Sequence, residues 1–271
     1  MKKGDIAIIG VGNMGGAIAD GLLRNITKLG EPTLVLNDPM AQLMRRFASD
    51  DHVRITDSAF VAARQAPTVI LAVKPQTTKE ALISLRPCIT SKHLIISIAA
   101  GIEIGSIKKI IGKKVPVVRV MPNICAKVGE SMSVWTESPE VSATQKKRVI
   151  KILNSIGKEL HVKDEGLLDV ATAAAGSGPA YFFYMTEILE RWAVKNGFSV
   201  EEAALLAHQT FAGSAKMLAA SGEKAEVLRK AVTSKKGTTD AAIKSMDKLG
   251  FKKAFQRGIT SARRRARELR G

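Results

Sequence analysis

Cysteine, aromatic residues and long apolar runs are all scarce in this chain, and acid is outnumbered by base. Among 271 residues there are 2 Cys, 2 Trp, 2 Tyr and 8 Phe. Cys88 and Cys125 do not form a metal-type spacing, so no metal site is expected. Two thiols in a chain of this length argue against a disulfide scaffold and for a reducing compartment. No run reaches about 18 apolar residues, so no membrane span is expected. The opening "MKKGDIAIIG" has too short an apolar stretch for a signal peptide, and the expected location is the cytoplasm. Asp and Glu number 25 against 42 Lys and Arg, a formal charge of +17. Residues 222–271 alone hold 15 Lys and Arg against 5 Asp and Glu. A basic tail often marks a nucleic-acid partner. Here no nucleic-acid motif accompanies it, and almost no aromatic residue interleaves with the basic ones. The charge is read as serving solubility or the attraction of anionic substrates and cofactors, with no nucleic acid and no membrane as partner. "SARRRARELRG" also reads as a helical end that extends into solvent.

What is present in the first half is alternation. "IAIIG" (Ile6–Gly10), "TLVLND" (Thr33–Asp38), "TVILAVKP" (Thr68–Pro75), "HLIISIAAG" (His93–Gly101) and "VPVVRVMPN" (Val115–Asn123) are short apolar runs bounded by turns. Such runs suit strands buried on both faces of a parallel sheet. Helical patterns fill gaps between them, as in Met14–Leu23 and Lys79–Leu85. The pattern is α/β, a Rossmann-type doubly wound parallel sheet. "SMSVWT" (Ser131–Thr136) and "GKELHV" (Gly157–Val162) are expected as added edge strands, with a helix around Ala143–Ile156 between them.

Behind the first run stands "GVGNMGGA". Gly10, Gly12 and Gly15 give G-x-G-x-x-G with a strand before it and a helix after it. The first glycine makes the turn, the second admits a pyrophosphate, and the third lets helix and strand approach closely. The helix start then offers free N–H groups to the phosphates. A second strand ends at Asp38, the expected place for an acid that accepts from a ribose 2′-OH. A carboxylate there repels a 2′-phosphate, while Arg45 and Arg46 offset that repulsion, so the residues leave NADP and NAD both open.

After Glu165 the strand signals stop, and the rest reads as all-helical. Gly176–Pro179 joins or kinks two helical segments, with proline suited to a first turn. Gly197 is a stop, Ser199 with Glu202 forms a capping box, and Gly222 closes that helix. A short helix over Glu223–Ala231 is followed by a helix from about Thr239 to Leu249, a stop at Gly250 and a last helix. The small residues Ala212, Gly213, Ser214 and Ala215 would let another helix approach, from this chain or from another subunit. The division expected is 1–164 for dinucleotide binding and 165–271 for a helical domain. Between two of these helices lies "AVTSKKGTTDAA" (Ala231–Ala242), where Thr233, Ser234, Thr238 and Thr239 surround a Lys-Lys-Gly turn. Those hydroxyls either cap a helix or hold a small anion.

The chain resembles the pyrroline-5-carboxylate reductases nearly end to end. The segments that carry the resemblance are Gly10–Gly15 with Asn13 and Met14 inside it, "LAVKPQ" (Leu71–Gln76), "SIAAGI" (Ser97–Ile102), "VRVMPN" (Val118–Asn123), "GSGPAY" (Gly176–Tyr181), "GSAKML" (Gly213–Leu218) and "VTSKKGTT" (Val232–Thr239). The resemblance implies a Rossmann domain followed by an all-helical dimerisation domain. It implies NAD(P)H-dependent reduction of the cyclic imine 1-pyrroline-5-carboxylate to proline. It implies a homodimer, with pentamers of dimers occurring in the family, and an active site between the cofactor domain of one subunit and the helical domains of the dimer. By this match the cofactor is held by Gly10, Gly12, Asn13, Met14, Gly15 and Asp38, by Ala72, Val73, Lys74 and Pro75, and by Ala99 and Ala100. Thr239 and Ser234 are the expected catalytic hydroxyls, with Thr239 on the ring nitrogen. Gly237 and Thr238 are expected on the substrate carboxylate, and Asn123 on substrate or cofactor. Lys74 as a strand end and Asn123 as a turn cap remain the plainer alternatives. His161 and His208 look isolated and receive no role, and Cys125 reads as a buried inert thiol.

Four departures from the family pattern stand out. Ile124-Cys125 replaces Thr-Pro, Lys235-Lys236 replaces Pro-Gly, Lys230 stands where an acid is common, and Ala59 where an asparagine is common. Two of these fall at or beside the substrate turn. Reduction of another cyclic imino acid, and a non-catalytic dinucleotide-binding regulatory role, are therefore kept as alternatives.

Overall fold

The computed structural model describes residues 4–112 and 114–269. The N-terminal Met1–Lys3, Lys113 within the cofactor half, and Arg270 and Gly271 of the basic tail lie outside the described residues. Two compact units divide the chain, Met1–Ser177 with Ala262–Gly271, and Gly178–Ser261.

In the first unit eight strands form one sheet: β1 (Ile6–Ile9), β2 (Leu34–Asn37), β3 (Val53–Thr56), β4 (Thr68–Leu71), β5 (Leu94–Ser97), β6 (Val117–Met121), β7 (Ser131–Glu137) and β8 (Gly157–His161). Their order is β3-β2-β1-β4-β5-β6-β7-β8. Every pair is parallel except β6 with β7, where Val120 faces Trp135. Six helices accompany the sheet: α1 (Asn13–Arg24), α2 (Ala59–Gln65), α3 (Thr78–Leu85), α4 (Ile104–Ile111), α5 (Ala143–Asn154) and α6 (Leu167–Ala171). The strands alternate between two cores. Ile6, Ile8, Leu34, Leu36, Ile70 and Ile96 pack with Ile18 and Leu22 of α1 and with Val149, Ile152 and Leu153 of α5. Ala7, Ile9, Val35, Val69, Leu71 and Ile95 pack on the other face with Ala62, Ala63, Leu82, Leu85, Ile107 and Ile111 of α2, α3 and α4. Helices on both faces are why the central strand sequences are predominantly apolar.

The sheet differs from expectation at its rims. β3 and α2 had no apolar run to announce them, and β3 is only half-buried. Of the two strands expected at an edge, β7 is interior, between β6 and β8, and β8 is an edge, as β3 is at the other side. α6 runs through a single π-turn, Thr172–Gly176, before the first unit ends.

The second unit is helical: α7 (Gly178–Lys195), α8 (Val200–Ser221), α9 (Ala225–Ala231), α10 (Thr238–Lys248) and the start of α11 (Phe251–Glu268). Pro179 sits in the first turn of α7. Ser199 and Glu202 make the reciprocal capping box at α8. Gly197, Gly222 and Gly250 end their helices at φ values of 107°, 68° and 79°, a region that costs an L-residue about 1 kcal/mol. Phe182 meets Phe211 edge-on at 6.4 Å, joining α7 to α8. Large apolar side chains nevertheless stand open in the single chain, among them Phe183, Ile188, Trp192 and Leu205. The small stretch Ala212–Ala215 of α8 is also exposed. Among the described residues no helix is long and apolar enough to cross a membrane.

Candidate functional site

The glycine loop leaves β1 at the carboxyl end of the sheet, next to the loop after β4. β1 is flanked by β2 on one side and β4 on the other, so the chain connections diverge there and a crevice opens above the strand ends. Gly10 takes φ 93°, and a β-carbon on it would lie 2.8 Å from the Ala72 carbonyl. A β-carbon on Gly15 would lie 1.9 Å from the Gly10 carbonyl oxygen. Gly12 by contrast has nothing within 4 Å of that position. Two glycines thus close the turn and bring α1 onto the strand, while the middle one keeps space open before the helix start. Gly12 is the N-cap of α1 and no side chain caps it. The first N–H groups of α1 are therefore left for an anion. This is the cradle a dinucleotide pyrophosphate needs, and the chain fits the cofactor.

Asp38 follows β2 as expected and is buried. Its Oδ2 accepts from the Val11 N–H at 2.7 Å and its Oδ1 accepts from the Met40 N–H at 2.8 Å. The carboxylate therefore ties the glycine loop to the turn after β2. Each oxygen keeps a further lone pair for a ribose hydroxyl. Arg46 is bound to Asp20 at 2.8 Å and lies over the Phe47 ring.

Ala72 holds the β4 loop against β1, its N–H donating to the Ile9 carbonyl at 2.8 Å. The Lys74 carbonyl accepts from the Thr77 and Thr78 hydroxyls, both at 3.1 Å, so its backbone does close a turn while its side chain is exposed. Ala99 is buried and Ala100 half-buried after β5. The expected cofactor set is thus gathered at the carboxyl ends of β1, β2, β4 and β5.

Asn123 lies after β6 in the same unit and is nearly buried. Its Oδ1 accepts from the Cys125 N–H at 3.1 Å, and its Nδ2 donates to the Ala175 carbonyl of the π-turn at 3.1 Å. It therefore caps the short 3-10 turn Ile124–Val128 and fastens that turn to the segment after α6. The Cys125 thiol is half-buried; burial pushes its pKa up, its own backbone contact partly opposes this, and Glu130 adds to the rise. His161 is not isolated, because its Nε2 meets Glu137 at 2.5 Å and its ring lies 4.5 Å from that of Trp135. Burial raises the Glu137 pKa, but Lys146 and His161 outweigh it and leave it below the usual range. His208 pairs with Glu190 at 2.8 Å. Sequence spacing gave no hint of these partners, which sit on neighbouring strands and helices.

The hydroxyl turn belongs to the second unit. Thr233 donates to the Arg229 carbonyl at 2.6 Å and so extends α9. The N-cap of α10 is Gly237, and no side chain caps it, so the helix-capping role considered for these hydroxyls is not the one they play. Ser234 and Thr238 are exposed and Thr239 is half-buried. The space where Gly237 would carry a β-carbon is taken by Ser234 Oγ, 2.4 Å away. Lys236 sits at φ 63°, so the lysine keeps the left-handed conformation that glycine would take there without strain. Its N–H donates to Asp240 Oδ2 at 3.0 Å, and Lys244 holds the same carboxylate at 2.8 Å. Both contacts, Lys244 first, lower the Asp240 pKa. Asp240 was not anticipated as the residue that fixes this turn. The result is a helix start with free N–H groups and uncommitted hydroxyls, suited to a small carboxylate.

Comparisons with known proteins agree with this arrangement. Residues 165–269 match the family model described as pyrroline-5-carboxylate reductase dimerisation. Residues 5–101 match the model described as NADP oxidoreductase, coenzyme F420-dependent. A pyrroline-5-carboxylate reductase of Pseudomonas aeruginosa is 36% identical over 99% of this chain and 98% of its own. One from Methanosarcina acetivorans is 34% identical over 99% of each chain. Among solved structures, a pyrroline-5-carboxylate reductase from Coxiella burnetii covers both chains completely with a TM-score of 0.91 at 32% identity. The Plasmodium falciparum pyrroline carboxylate reductase with NADP bound does so with a TM-score of 0.86 at 29% identity.

Proposed function

The chain belongs to the pyrroline-5-carboxylate reductase family, and from that premise we propose that it reduces 1-pyrroline-5-carboxylate to proline with reduced NADP or NAD, a step of proline biosynthesis in the cytoplasm. Residues 1–164 bind the dinucleotide, and residues 165–271 form the helical dimerisation and substrate domain. The protein acts as a homodimer, with five dimers able to associate further. The exposed apolar side chains of α7 and α8 support association through that domain.

The observation that carries the reading is the pair of uncapped helix starts, at Gly12 and at Gly237. The first takes the cofactor pyrophosphate; the second takes the substrate carboxylate through the Thr238 N–H and the Ser234 hydroxyl, at the turn that Gly237 closes with its own N–H on the Ser234 carbonyl. A reduced nicotinamide, when bound, would supply the hydride for the imine carbon. The protein's task is to bind and orient. Thr239, in the first turn of α10, donates a hydrogen bond to the ring nitrogen, fixing the ring, and the proton that completes the amine reaches that nitrogen from solvent through the same hydroxyl. Asn123 is assigned to the substrate, while Asp38, Lys74, Ala99 and Ala100 flank the cofactor.

Lys235 and Lys236 at the turn favour a second reading, reduction of a cyclic imino acid that carries a further anionic group. Oxidation of NADPH and NADH with pyrroline-5-carboxylate, and with its six-membered homologue, separates the two. Absence of turnover with both, in protein that binds cofactor, sinks the enzyme reading for these substrates. Thr239→Ala should lower kcat by about a hundredfold and leave NADPH affinity unchanged; equal activity removes Thr239 from the mechanism.

A further inference from the structure

A cavity of about 520 Å³ opens beside the start of α1, lined by Val11, Gly12, Asn13, Asp20, Arg46 and Lys127 among others. Lys127 comes from far along the sequence, on the 3-10 turn that Asn123 caps. Ala126 is buried beneath it and Gly129 ends the turn at φ 77°, so the lysine is directed outward. Its Nζ donates to Asn13 Oδ1 at 3.2 Å. An ammonium has three N–H donors, and this contact uses one. Asp20 and Arg46 satisfy each other across the same cavity. Lys127 is thus the cation there that no carboxylate pairs with among the described residues.

We infer that Lys127 is a cofactor-binding residue, a clamp that closes over the dinucleotide pyrophosphate at the start of α1. The inference rests on the cofactor use proposed above. Asn13 is the first residue of α1, beside the open space at Gly12, so an ammonium held on its side chain stands where the helix N–H groups and the glycine loop converge. That position is the pyrophosphate's; the ribose 2′-position belongs with the turn after β2, where Asp38 lies. Asn123 acquires a purpose through this turn, because its two amide contacts set where Lys127 reaches.

The test is binding, so it does not depend on imine turnover. NADPH, NADH and inorganic pyrophosphate are titrated against the wild-type protein, Lys127→Met and Lys127→Arg. Loss of one charge-assisted phosphate contact should raise the Met variant's Kd for NADPH and NADH alike by roughly tenfold. Pyrophosphate should bind the Met variant correspondingly more weakly, and the Arg variant should recover most of the affinity. The Tm of ligand-free Met variant should stay at the wild-type value, since an exposed Lys–Asn contact contributes little to folding. Unchanged affinity for both dinucleotides overturns the clamp. So does a loss confined to NADPH, which would move Lys127 to the 2′-phosphate, and so does a fall in Tm that accompanies the affinity loss, which would make it a structural latch.

Discussion

Gly15 and Gly12 differ in what a methyl group would meet, and the difference separates stability from binding. On Gly15 it would strike the Gly10 carbonyl oxygen, with the Ala72 Cβ 3.1 Å away. Backbone on one side leaves little room to give, and overpacking of this kind costs about 1–3 kcal/mol. Gly15→Ala should therefore lower the Tm and weaken NADPH binding together. Gly12→Ala meets open space, so it should keep the Tm near the wild-type value and still weaken NADPH binding by roughly tenfold or more, by filling the pyrophosphate's approach. Thermal unfolding alongside cofactor titration checks both. These glycines were legible in the sequence because their spacing encodes a backbone path. Asp38 was legible in position but not in its contacts, since nothing in a one-dimensional pattern says that Val11 and Met40 N–H groups will claim its oxygens. Lys127 was not legible at all, because its partner Asn13 lies in a different part of the sequence and only the packed turn joins them.

At the scale of elements, what was readable is what is buried on two sides. β1, β2, β4, β5 and β6 are mostly apolar because α1 and α5 cover one face and α2, α3 and α4 the other. β3 mixes Arg54 and Thr56 with Val53 and Ile55 at the rim of the sheet, so its sequence carries no such run. β7 was expected at an edge, yet it lies between β6 and β8, and its Ser131 and Ser133 are buried and share a hydrogen bond. The connection from β7 to α5 is held by charge. Lys108 of α4 meets Glu140 at 2.6 Å, and this contact, followed by the Ser138 hydroxyl, lowers the Glu140 pKa from 4.5 to about 2. A carboxylate whose folded pKa is depressed stabilises the fold fully above its unfolded pKa, and that contribution is lost as pH falls through the folded one. Urea unfolding of wild type and Glu140→Gln should differ most near pH 6 and converge as the pH falls from about 5 towards 2. A difference that is constant across that window would show that the Lys108 contact is not linked to folding.

For the whole molecule, the two units differ in how they satisfy their apolar residues. The sheet unit has two large closed cores and a smaller cluster of Val134, Leu168 and Ala171. In the helical unit α7 buries only Gly178 and Ala193, and α8 only Ala203 and Ala207, while Trp192 is 61% exposed. A surface of this kind, on the segment that matches a dimerisation model, is read as the contact with a second copy. Ile188→Asp combined with Trp192→Asp, one helical turn apart, should shift the sedimentation coefficient towards that of the monomer. Retention of the assembled species would exclude the α7 face from the contact. The helices themselves were readable from caps and glycine stops such as Ser199, Glu202 and Gly222, but which faces they leave open was not, because alanine-rich helices carry no clear stripe.

The order of strands in the sheet has a consequence for the chain as it is made. β1 precedes every other strand of this sheet along the chain and lies inside the sheet, with Ile6 beside Leu34 on one side and Thr68 on the other. Its four residues are all apolar and buried. Until β4 has left the ribosome, one ladder of β1 has no partner to accept its hydrogen bonds. The nascent chain therefore exposes a short, uncharged, sticky edge early, and its protection against aggregation during synthesis depends on the speed at which residues up to Leu71 follow.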